Sequence, residues 1–385
     1  MQGFIFNSSK SIICELGAIR RIGEICERLR IARPLIVTDP GIAAMGLHER
    51  LLSALATHQI PCAVFSSVVP DPPEATVLAA LELALRERVD GVIGFGGGSS
   101  LDTAKLVALM ARSSESLQQI YGVEQAKGER LPLILVPTTA GTGSEVTAVA
   151  IITTGETTKT GVVASQLYPD VALLDAELTV ALPPSITAMT GVDAMVHAIE
   201  AYTSLHRKNL YSNMLAREAL RLMAKHIETA TLDGGNLEAR QAMLLGACLA
   251  GQAFANAPVA AVHALAYPLG GRYHLPHGLT NSLVLPHMLR FNASHAGALY
   301  AELAAVILPA EILLSGTAER CTQLITYFEQ LIATLGLPCT LAAVNVPQAD
   351  LPTLAGDAIL QQRLLINNPR PVTQDDALAI YRAAY

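Results

Sequence analysis

Apolar residues in the first half of the chain fall into short runs that alternate with longer helical patterns. Short runs that are apolar at every position predict strands buried on both faces of a sheet. The strand candidates are residues 35–38, 62–65, 91–95, 133–136 and 171–174. Apolar residues spaced three or four apart predict helices at residues 18–30, 49–58, 74–87 and 101–112. This alternation is typical of a parallel α/β fold.

The pattern changes at Pro183 and Pro184, which lack the backbone N–H needed to continue a sheet. Ser185 follows as a candidate N-cap, and helical spacing then runs through most of the remaining sequence. No strand is predicted after about residue 182. We therefore predict a Rossmann-like parallel-sheet α/β domain over residues 1–182 and an all-α domain over residues 183–385.

Composition narrows the class of protein. The 385 residues are 51% hydrophobic, but each apolar run is interrupted before the ~18 residues that a membrane span needs. No secretory signal is visible, and a net charge of −7 without a basic cluster disfavours nucleic acid and anionic membranes as partners. The six cysteines form no C-x-x-C pair and lie mostly among apolar residues, which predicts reduced thiols in the cytoplasm.

A glycine-rich loop follows the third predicted strand and contains Gly96, Gly97, Gly98 and Ser99, with Asp102 on the helix after it. Glycines let the backbone approach a ligand closely, and a helix N-terminus offers N–H groups that suit a pyrophosphate. A tight strand–helix turn that binds nothing explains such a loop about as well when it is taken singly.

Two further features favour a dinucleotide. A polar loop after the fourth predicted strand contains Thr138, Thr139, Thr142 and Ser144. Asp39 ends the first strand, where an acid accepts hydrogen bonds from ribose hydroxyls and favours NAD over NADP. In the Rossmann fingerprint the glycines precede the acid by about twenty residues. Here the acid comes first, so the standard fingerprint is absent.

Four residues in the second half have the chemistry of a metal site. Asp193 and His197 are four residues apart, which puts both side chains on one helix face. Together with His263 and His277 they offer one carboxylate and three imidazoles, which suit Fe(II) or Zn(II). The alternatives are an exposed carboxylate near a helix start and ordinary core, loop or interface histidines. The apolar neighbours of Asp193 and His197 favour the metal, because buried polar groups need partners.

The stretches GGGSSLDTAK, PTTAGTGSE, GVDAMVHAIEAY and LPHGLTNSLVLPHMLRFN, in this order, resemble the iron-containing (group III) alcohol dehydrogenase family. The ending NNPRPVTQDD resembles that of the family, so the match covers essentially the whole chain. The resemblance implies a dehydroquinate synthase-like fold, in which a dinucleotide-binding domain faces a helical metal-binding domain across a cleft. It also implies a homodimer or larger homo-oligomer.

The resemblance also implies the residues of both sites. The metal ligands correspond to Asp193, His197, His263 and His277, with Fe(II) favoured and Zn(II) the alternative. The family's cofactor contacts correspond to Asp39, Gly97, Gly98, Ser99, Thr138, Thr139 and, by its position, Lys159. Leu182 is predicted as a further contact to NAD(H), as are Gly96, Asp102, Thr142 and Ser144.

One position departs from the family. Many members have a second histidine four residues after the third ligand, where this chain has Tyr267. A tyrosine can relay a proton, but an unperturbed pKa near 10 is poor for exchange at pH 7. The alternative is an aromatic ring that shapes the substrate pocket, a role also predicted for Phe254, since both residues flank the ligand segments. His274 is a candidate substitute, so Tyr267 and His274 are the predicted catalytic residues.

The predicted function is NAD-linked interconversion of a small primary alcohol, diol or hydroxy acid and its aldehyde. Hydride transfer would take place with the alkoxide on the metal. A dehydroquinate synthase-like lyase is a first alternative, but the helical half has few basic residues near its ligand segments to hold a phosphate and a carboxylate. A non-catalytic NAD- or metal-binding protein is a second alternative, disfavoured by the presence of both residue sets.

Overall fold

The computed structural model describes residues 3–113, 115–155 and 158–385. The chain divides into two compact units. Residues 8–181 form an α/β unit, and residues 182–385 form a helical unit that also includes the N-terminal residues up to Asn7. Asn256 holds this N-terminal segment, because its amide accepts a hydrogen bond from Asn7 N and donates one to Asn7 O, both at 2.8 Å.

The α/β unit contains a six-stranded sheet in which every pair of neighbours is parallel. Its strands are β1 Ile12–Cys14, β2 Pro34–Val37, β3 Ala63–Phe65, β4 Gly91–Gly96, β6 Leu133–Pro137 and β9 Val171–Leu174. Their spatial order is β1-β9-β6-β4-β2-β3. Five of the six coincide with predicted runs, which confirms the parallel sheet. The sequence analysis missed β1, which has three residues and is partly exposed at the sheet edge.

A second, three-stranded sheet was not predicted. It is formed by β5 Gly122–Val123, β7 Val149–Thr154 and β8 Thr158–Val163. β7 and β8 pair antiparallel, and β5 pairs parallel to β8. Threonines and a glycine interrupt the apolar pattern of β7 and β8, which is why apolar runs did not reveal them.

Side chains on both faces of the six-stranded sheet are buried. Leu35 on β2 is in register with Val92 on β4, and both belong to the core on one face. Ile36 and Ile93 are in register one position later and belong to the core on the other face. Each of these side chains is fully buried, which stabilises the fold by roughly 1.5–3 kcal/mol per residue.

Four of the six α-helices of the α/β unit overlap predicted positions, and the two shortest helices were not predicted. They are α1 Ile22–Leu29, α2 Pro40–Ala44, α3 His48–Thr57, α4 Glu74–Arg86, α5 Gly98–Met110 and α6 Leu117–Ile120. α1 begins at Ile22 rather than at residue 18, because residues 18–21 form a 3-10 helix. α5 begins at Gly98 rather than at residue 101. The last residues of the glycine-rich loop therefore already form the first helical turn.

The helical unit contains nine α-helices, and the described residues 182–385 include no strand. The helices are α7 Pro184–Thr203, α8 Leu210–Leu232, α9 Leu237–Asn256, α10 Ala261–Tyr273, α11 His277–Ile307, α12 Thr317–Thr334, α13 Leu351–Ile359, α14 Gln362–Leu365 and α15 Gln374–Ala383. This confirms the all-α assignment. Within the described ranges, no single helix is long and apolar enough to span a membrane; α9 and α10 pass that test only together, bent by 106°.

The predicted cap of α7 is wrong. The N-cap is Pro183, and Ser185 lies inside the first turn. Pro184 takes the first helical position, where a missing N–H costs nothing because that group has no partner within the helix. The two prolines therefore mark the end of the strand pattern in the sequence and also form the start of helix α7.

The sheet order explains the reversed order of the acid and the glycines. β2, β4 and β6 are adjacent and parallel, so their carboxyl ends meet at one edge. Asp39 follows β2, the glycine-rich loop follows β4, and the threonine-rich loop follows β6. Adjacency in the sheet, rather than order in the chain, brings the three segments together.

Candidate functional site

Helix α7 carries two of the four predicted ligands. Asp193 and His197 are 3% and 5% exposed, and Glu200 one turn later is 4% exposed. Positions 193, 197 and 200 share a helix face. Three ionisable side chains are therefore buried along one stripe of an otherwise apolar helix.

Glu200 fixes the start of α10, which carries His263. Its carboxylate accepts hydrogen bonds from the backbone N–H of Ala260 at 2.9 Å and of Val262 at 2.7 Å. It also lies 2.6 Å from Nδ1 of His263. With Nδ1 donating to this carboxylate, Nε2 of His263 keeps its lone pair and faces Asp193. Burial raises the pKa of Glu200 to about 7, although the two backbone N–H groups oppose the rise.

Helix α11 presents the fourth ligand at its first residue, His277, which is half-buried. The next residue, Gly278, lets α11 approach α7 closely. A Cβ atom at this position would lie 2.3 Å from the backbone oxygen of Met189, one turn before Asp193. Any larger residue would push the start of α11 away, so the glycine determines how near His277 comes to Asp193.

The four side chains meet as one group. Each offers a ligand atom, and these atoms all lie within 4.8 Å of one another. Oδ1 of Asp193 is 3.6 Å from Nε2 of His277 and 3.9 Å from Nε2 of His263. Two ligand atoms on a tetrahedral first-row ion at about 2.1 Å are separated by about 3.4 Å. The donor set and its spacing therefore fit a single divalent ion.

The charge states of the group also suit a cation. Burial and the neighbouring His197 and His277 hold the pKa of His263 well below its usual value, so its imidazole is neutral at pH 7. Burial favours the neutral acid at Asp193, but the three histidines and Asn281 outweigh it and lower the pKa of this carboxyl. The carboxylate form of Asp193 and the neutral form of His263 are the forms in which these groups bind metals.

Aromatic side chains surround the group. The ring of Phe254 stacks on His197 at a centroid distance of 4.4 Å, and Tyr267 lies 6.0 Å from the ring of His277. Tyr267 is half-buried. His274 is exposed at the end of α10, in the left-handed region with φ 53°, and is not among the four grouped side chains.

In the α/β unit, Asp39 lies next to the glycine-rich loop. Its Oδ1 accepts a hydrogen bond from Ile42 N at 3.0 Å and caps α2, and its Oδ2 is 3.4 Å from Oγ of Ser100. Gly96 has φ 150°, a conformation that L side chains rarely adopt. A Cβ there would also lie 2.8 Å from Oγ of Ser100. This position thus requires glycine.

The glycine-rich and threonine-rich loops pack against each other. A Cβ atom at Gly98 would lie 2.8 Å from Cγ2 of Thr142, so only glycine permits this approach. The N-cap of α5, Gly97, has no capping side chain, which leaves the first N–H groups of the helix for a ligand. Thr138 Oγ1 is buried without a hydrogen-bond partner among the described residues. These features fit the phosphate groups of a dinucleotide.

Two of the predicted cofactor contacts, Asp102 and Ser144, are hydrogen-bonded to a buried lysine, and their assignment to cofactor binding stays a prediction. The ammonium group of Lys105 donates to Oγ of Ser144 at 2.7 Å, to Oγ1 of Thr147 at 3.1 Å and to the backbone oxygen of Val149 at 2.7 Å. It also lies 3.3 Å from Oδ1 of Asp102, which accepts from Ser144 Oγ at 2.6 Å. The lysine side chain is completely buried. This network ties α5 to the end of the threonine-rich loop.

Two other predicted contacts, Lys159 and Leu182, engage other partners. Lys159 on β8 forms an ion pair with Asp71 at 2.6 Å. Leu182 belongs to the helical unit, where its backbone oxygen accepts a hydrogen bond from Arg240 at 3.4 Å. Their assignment to cofactor binding stays a prediction.

Sequence reasoning missed three polar residues of these sites. Glu200 is three residues after His197, and Asn281 is four residues after His277, so both lie on ligand-bearing helix faces. Lys105 is a charge within an apolar helix. The signal was the same in each case: a polar residue at a position where the helical pattern demands burial.

Comparison with known proteins gives matches over nearly the whole chain. Residues 9–176 match the family model described as iron-containing alcohol dehydrogenase. Residues 187–385 match the C-terminal model of the Fe-containing alcohol dehydrogenase family. Residues 177–186, between the two matches, include the change from α/β to helical structure.

Individual relatives agree with the family models. Long-chain-alcohol dehydrogenase 1 of Geobacillus thermodenitrificans is 38% identical over 96% of this chain and 93% of its own. The crystal structure of a 1,3-propanediol oxidoreductase superposes with a TM-score of 0.96 at 34% identity, covering 100% of both chains. Sulfoacetaldehyde reductase from Bifidobacterium kashiwanohense, solved in complex with NAD+, has a TM-score of 0.89 at 27% identity, covering 100% of this chain and 99% of the other.

Proposed function

The chain belongs to the iron-containing alcohol dehydrogenase family of oxidoreductases, and we propose that it interconverts a small primary alcohol or diol and its aldehyde with NAD(H) and one divalent ion. The observation that carries this proposal is the convergence of Asp193, His197, His263 and His277 within 4.8 Å. Family membership favours this activity over the lyase and the non-catalytic alternatives.

In this proposal the four grouped residues hold the ion, with Fe(II) preferred and Zn(II) as the alternative. When bound, the ion supplies Lewis-acid polarisation of an alcohol or carbonyl oxygen. One carboxylate and three neutral imidazoles leave a divalent ion with net positive charge. Glu200 keeps His263 in the tautomer that directs Nε2 towards Asp193. Phe254 shields one face of His197 from water through its stacked ring.

The loops at the carboxyl edge of the six-stranded sheet supply the proposed cofactor site. The first turn of α5 and the buried hydroxyl of Thr138 would hold the phosphates. Asp39, beside Gly96, would accept hydrogen bonds from the ribose and repel a 2′-phosphate, which favours NAD. The NAD+ complex of the sulfoacetaldehyde reductase supports this choice.

The names of the relatives point to different substrates: a long-chain alcohol, 1,3-propanediol and sulfoacetaldehyde. We infer a shared chemistry, in which a terminal hydroxyl or carbonyl group is the reacting part. We also propose that the protein works as a homodimer or larger homo-oligomer in the cytoplasm. The cytoplasmic proposal rests on six cysteines in mostly apolar surroundings, which suit a reducing compartment.

Purified protein loaded with Fe(II) or with Zn(II) is expected to change NADH absorbance with short primary alcohols, 1,3-propanediol or their aldehydes. Metal analysis should find one ion per chain. Because of Asp39, turnover efficiency with NAD should exceed that with NADP by at least about tenfold, or 1.4 kcal/mol. Chelator-treated protein is the control. Absence of turnover in every loaded sample, with every alcohol and aldehyde, would contradict the proposal.

We further propose that Tyr267 relays a proton between the site and water, because it is half-buried near His277. Tyr267→Phe keeps the ring and removes the hydroxyl, so kcat should fall by about 10²-fold with little change in KM. His274→Asn, which tolerates the left-handed backbone, should leave kcat unchanged because this side chain is exposed. Unchanged kcat in Tyr267→Phe would instead assign Tyr267 to shaping the pocket. A fall in His274→Asn alone would move the relay to His274.

A further inference from the structure

Asn281 lies on α11 one turn after His277, and its side chain is completely buried. Its amide nitrogen, Nδ2, is 2.5 Å from Oδ1 of Asp193. The same nitrogen is 3.3 Å from Nε2 of His263 and 3.3 Å from Nε2 of His277. One amide group therefore contacts three of the four side chains that we assign to the metal.

The groups around this nitrogen act as hydrogen-bond acceptors. Oδ1 of Asp193 accepts the hydrogen bond that the amide nitrogen donates at 2.5 Å. Nε2 of His263 carries a lone pair, because Nδ1 of that ring donates to Glu200. The amide N–H groups are thus directed at the lone pairs that a cation would use. The amide oxygen of Asn281 is buried and accepts no hydrogen bond from the described residues, so the contacts of this amide lie on its nitrogen side.

We propose that Asn281 is a positioning residue that holds the ligand side chains together in the metal-free protein and loses its contacts with them when the ion binds. This inference rests on the proposed metal site. Without the amide, a buried carboxylate would face imidazole lone pairs with no donor between them, an arrangement that costs free energy. With it, Asp193 has a hydrogen bond and the ligands stay assembled.

The proposal predicts a direction of change in metal affinity that other roles of Asn281 do not predict. A lone pair cannot accept a hydrogen bond from the amide and bind an ion at the same time. The contacts of Asn281 therefore stabilise the metal-free state more than the loaded state. By linkage, removal of the amide should make the ion bind more tightly to the folded protein. If Asn281 were a ligand, or supported the ligands equally in both states, its removal would weaken binding or leave it unchanged.

The test compares Asn281→Leu and Asn281→Ala with the wild-type protein. Leucine keeps the volume and admits no water, whereas alanine is smaller. Ser282→Ala is the matched control, because Ser282 is buried on the same helix turn and its hydroxyl donates a hydrogen bond to the backbone oxygen of Leu279, at 2.8 Å. Zn(II) affinity is measured by competition with a chelator, and thermal unfolding is followed for each protein both metal-depleted and loaded.

We expect Asn281→Leu to bind Zn(II) about tenfold more tightly, the equivalent of one hydrogen bond to a charged group. Its unfolding temperature should fall more in the metal-depleted form than in the loaded form, whereas Ser282→Ala should bind like wild type. Weaker binding, equal losses of stability in both forms, or failure of both variants to fold even when loaded would overturn the inference. Absence of Zn(II) binding by the wild-type protein would instead refute the proposed metal site itself.

Discussion

Asp193→Asn and His277→Ala should each abolish turnover, with losses greater than about 10³-fold, and should lose stoichiometric metal. The two side chains are central to the group, since Oδ1 of Asp193 is 3.6 Å from Nε2 of His277. Asparagine has the shape of aspartate without its negative charge, so it removes the only anion among the four proposed ligands. The proposed ion, which would polarise the reacting oxygen, would then be held by neutral groups alone, and its affinity would fall.

Metal content and NADH turnover should be measured on the same preparations, so that loss of the ion and loss of activity can be compared directly. His295→Ala is the matched control, because His295 is an exposed histidine on the same helix as His277. Its turnover and metal content should equal those of the wild type. A preparation of Asp193→Asn or His277→Ala that retained one ion per chain and full turnover would refute the ligand assignment.

Lys105→Met should lower the free energy of unfolding by about 3–5 kcal/mol, the usual cost of removing one partner of a buried charged pair. The lysine ammonium is fully buried and donates to Ser144, Thr147 and Val149. Methionine preserves most of the side-chain volume but donates nothing. Asp102 then loses the cation that lies 3.3 Å from its Oδ1, and Ser144 Oγ loses a donor at 2.7 Å.

Urea unfolding of the full chain measures this loss, and the affinity for NAD+ should fall with it, since the network supports the threonine-rich loop. Lys127→Met is the control: Lys127 is exposed, and its removal should change stability by less than about 0.5 kcal/mol. The double variant Lys105→Met, Asp102→Asn should recover part of the loss, because it leaves no unpaired carboxylate. If Lys105→Met and Lys127→Met were equally stable, the network would have no structural role.

The sequence predicted most of the large sheet because fully buried strands have a simple pattern. β2, β4, β6 and β9 are apolar on both faces, and each was found within two residues of its ends. The hairpin of β7 and β8 was missed because its strands mix threonines with apolar residues. Runs of apolar residues indicate which segments are buried. Strands that are buried on one face only, or that lie at the edge of a sheet, have fewer apolar residues in a row and are harder to recognise.

The residues that bear on the proposed metal site were predicted only in part. A four-residue spacing revealed Asp193 and His197 as one pair, but nothing in the spacing of His263 and His277 shows that they meet it. The close packing of Gly278 against the backbone of Met189 brings α11 to α7, and Glu200 orients His263. Asn281 contacts three of the grouped side chains because of the same packing.

By itself, the sequence determined most strands of the large sheet, the longer helices, the change from α/β to helical structure near Pro183, and the chemical types available for a cation and a dinucleotide. These are local properties, because periodicity, glycine content and ligand type are read within a few turns or strands. Only the tertiary structure decided which distant residues share a site. Strand order placed Asp39 beside the glycine-rich loop, and helix packing gathered Asp193, His197, His263 and His277 within 4.8 Å. Such adjacency depends on how side chains from separate segments fill a common core, which no local pattern encodes.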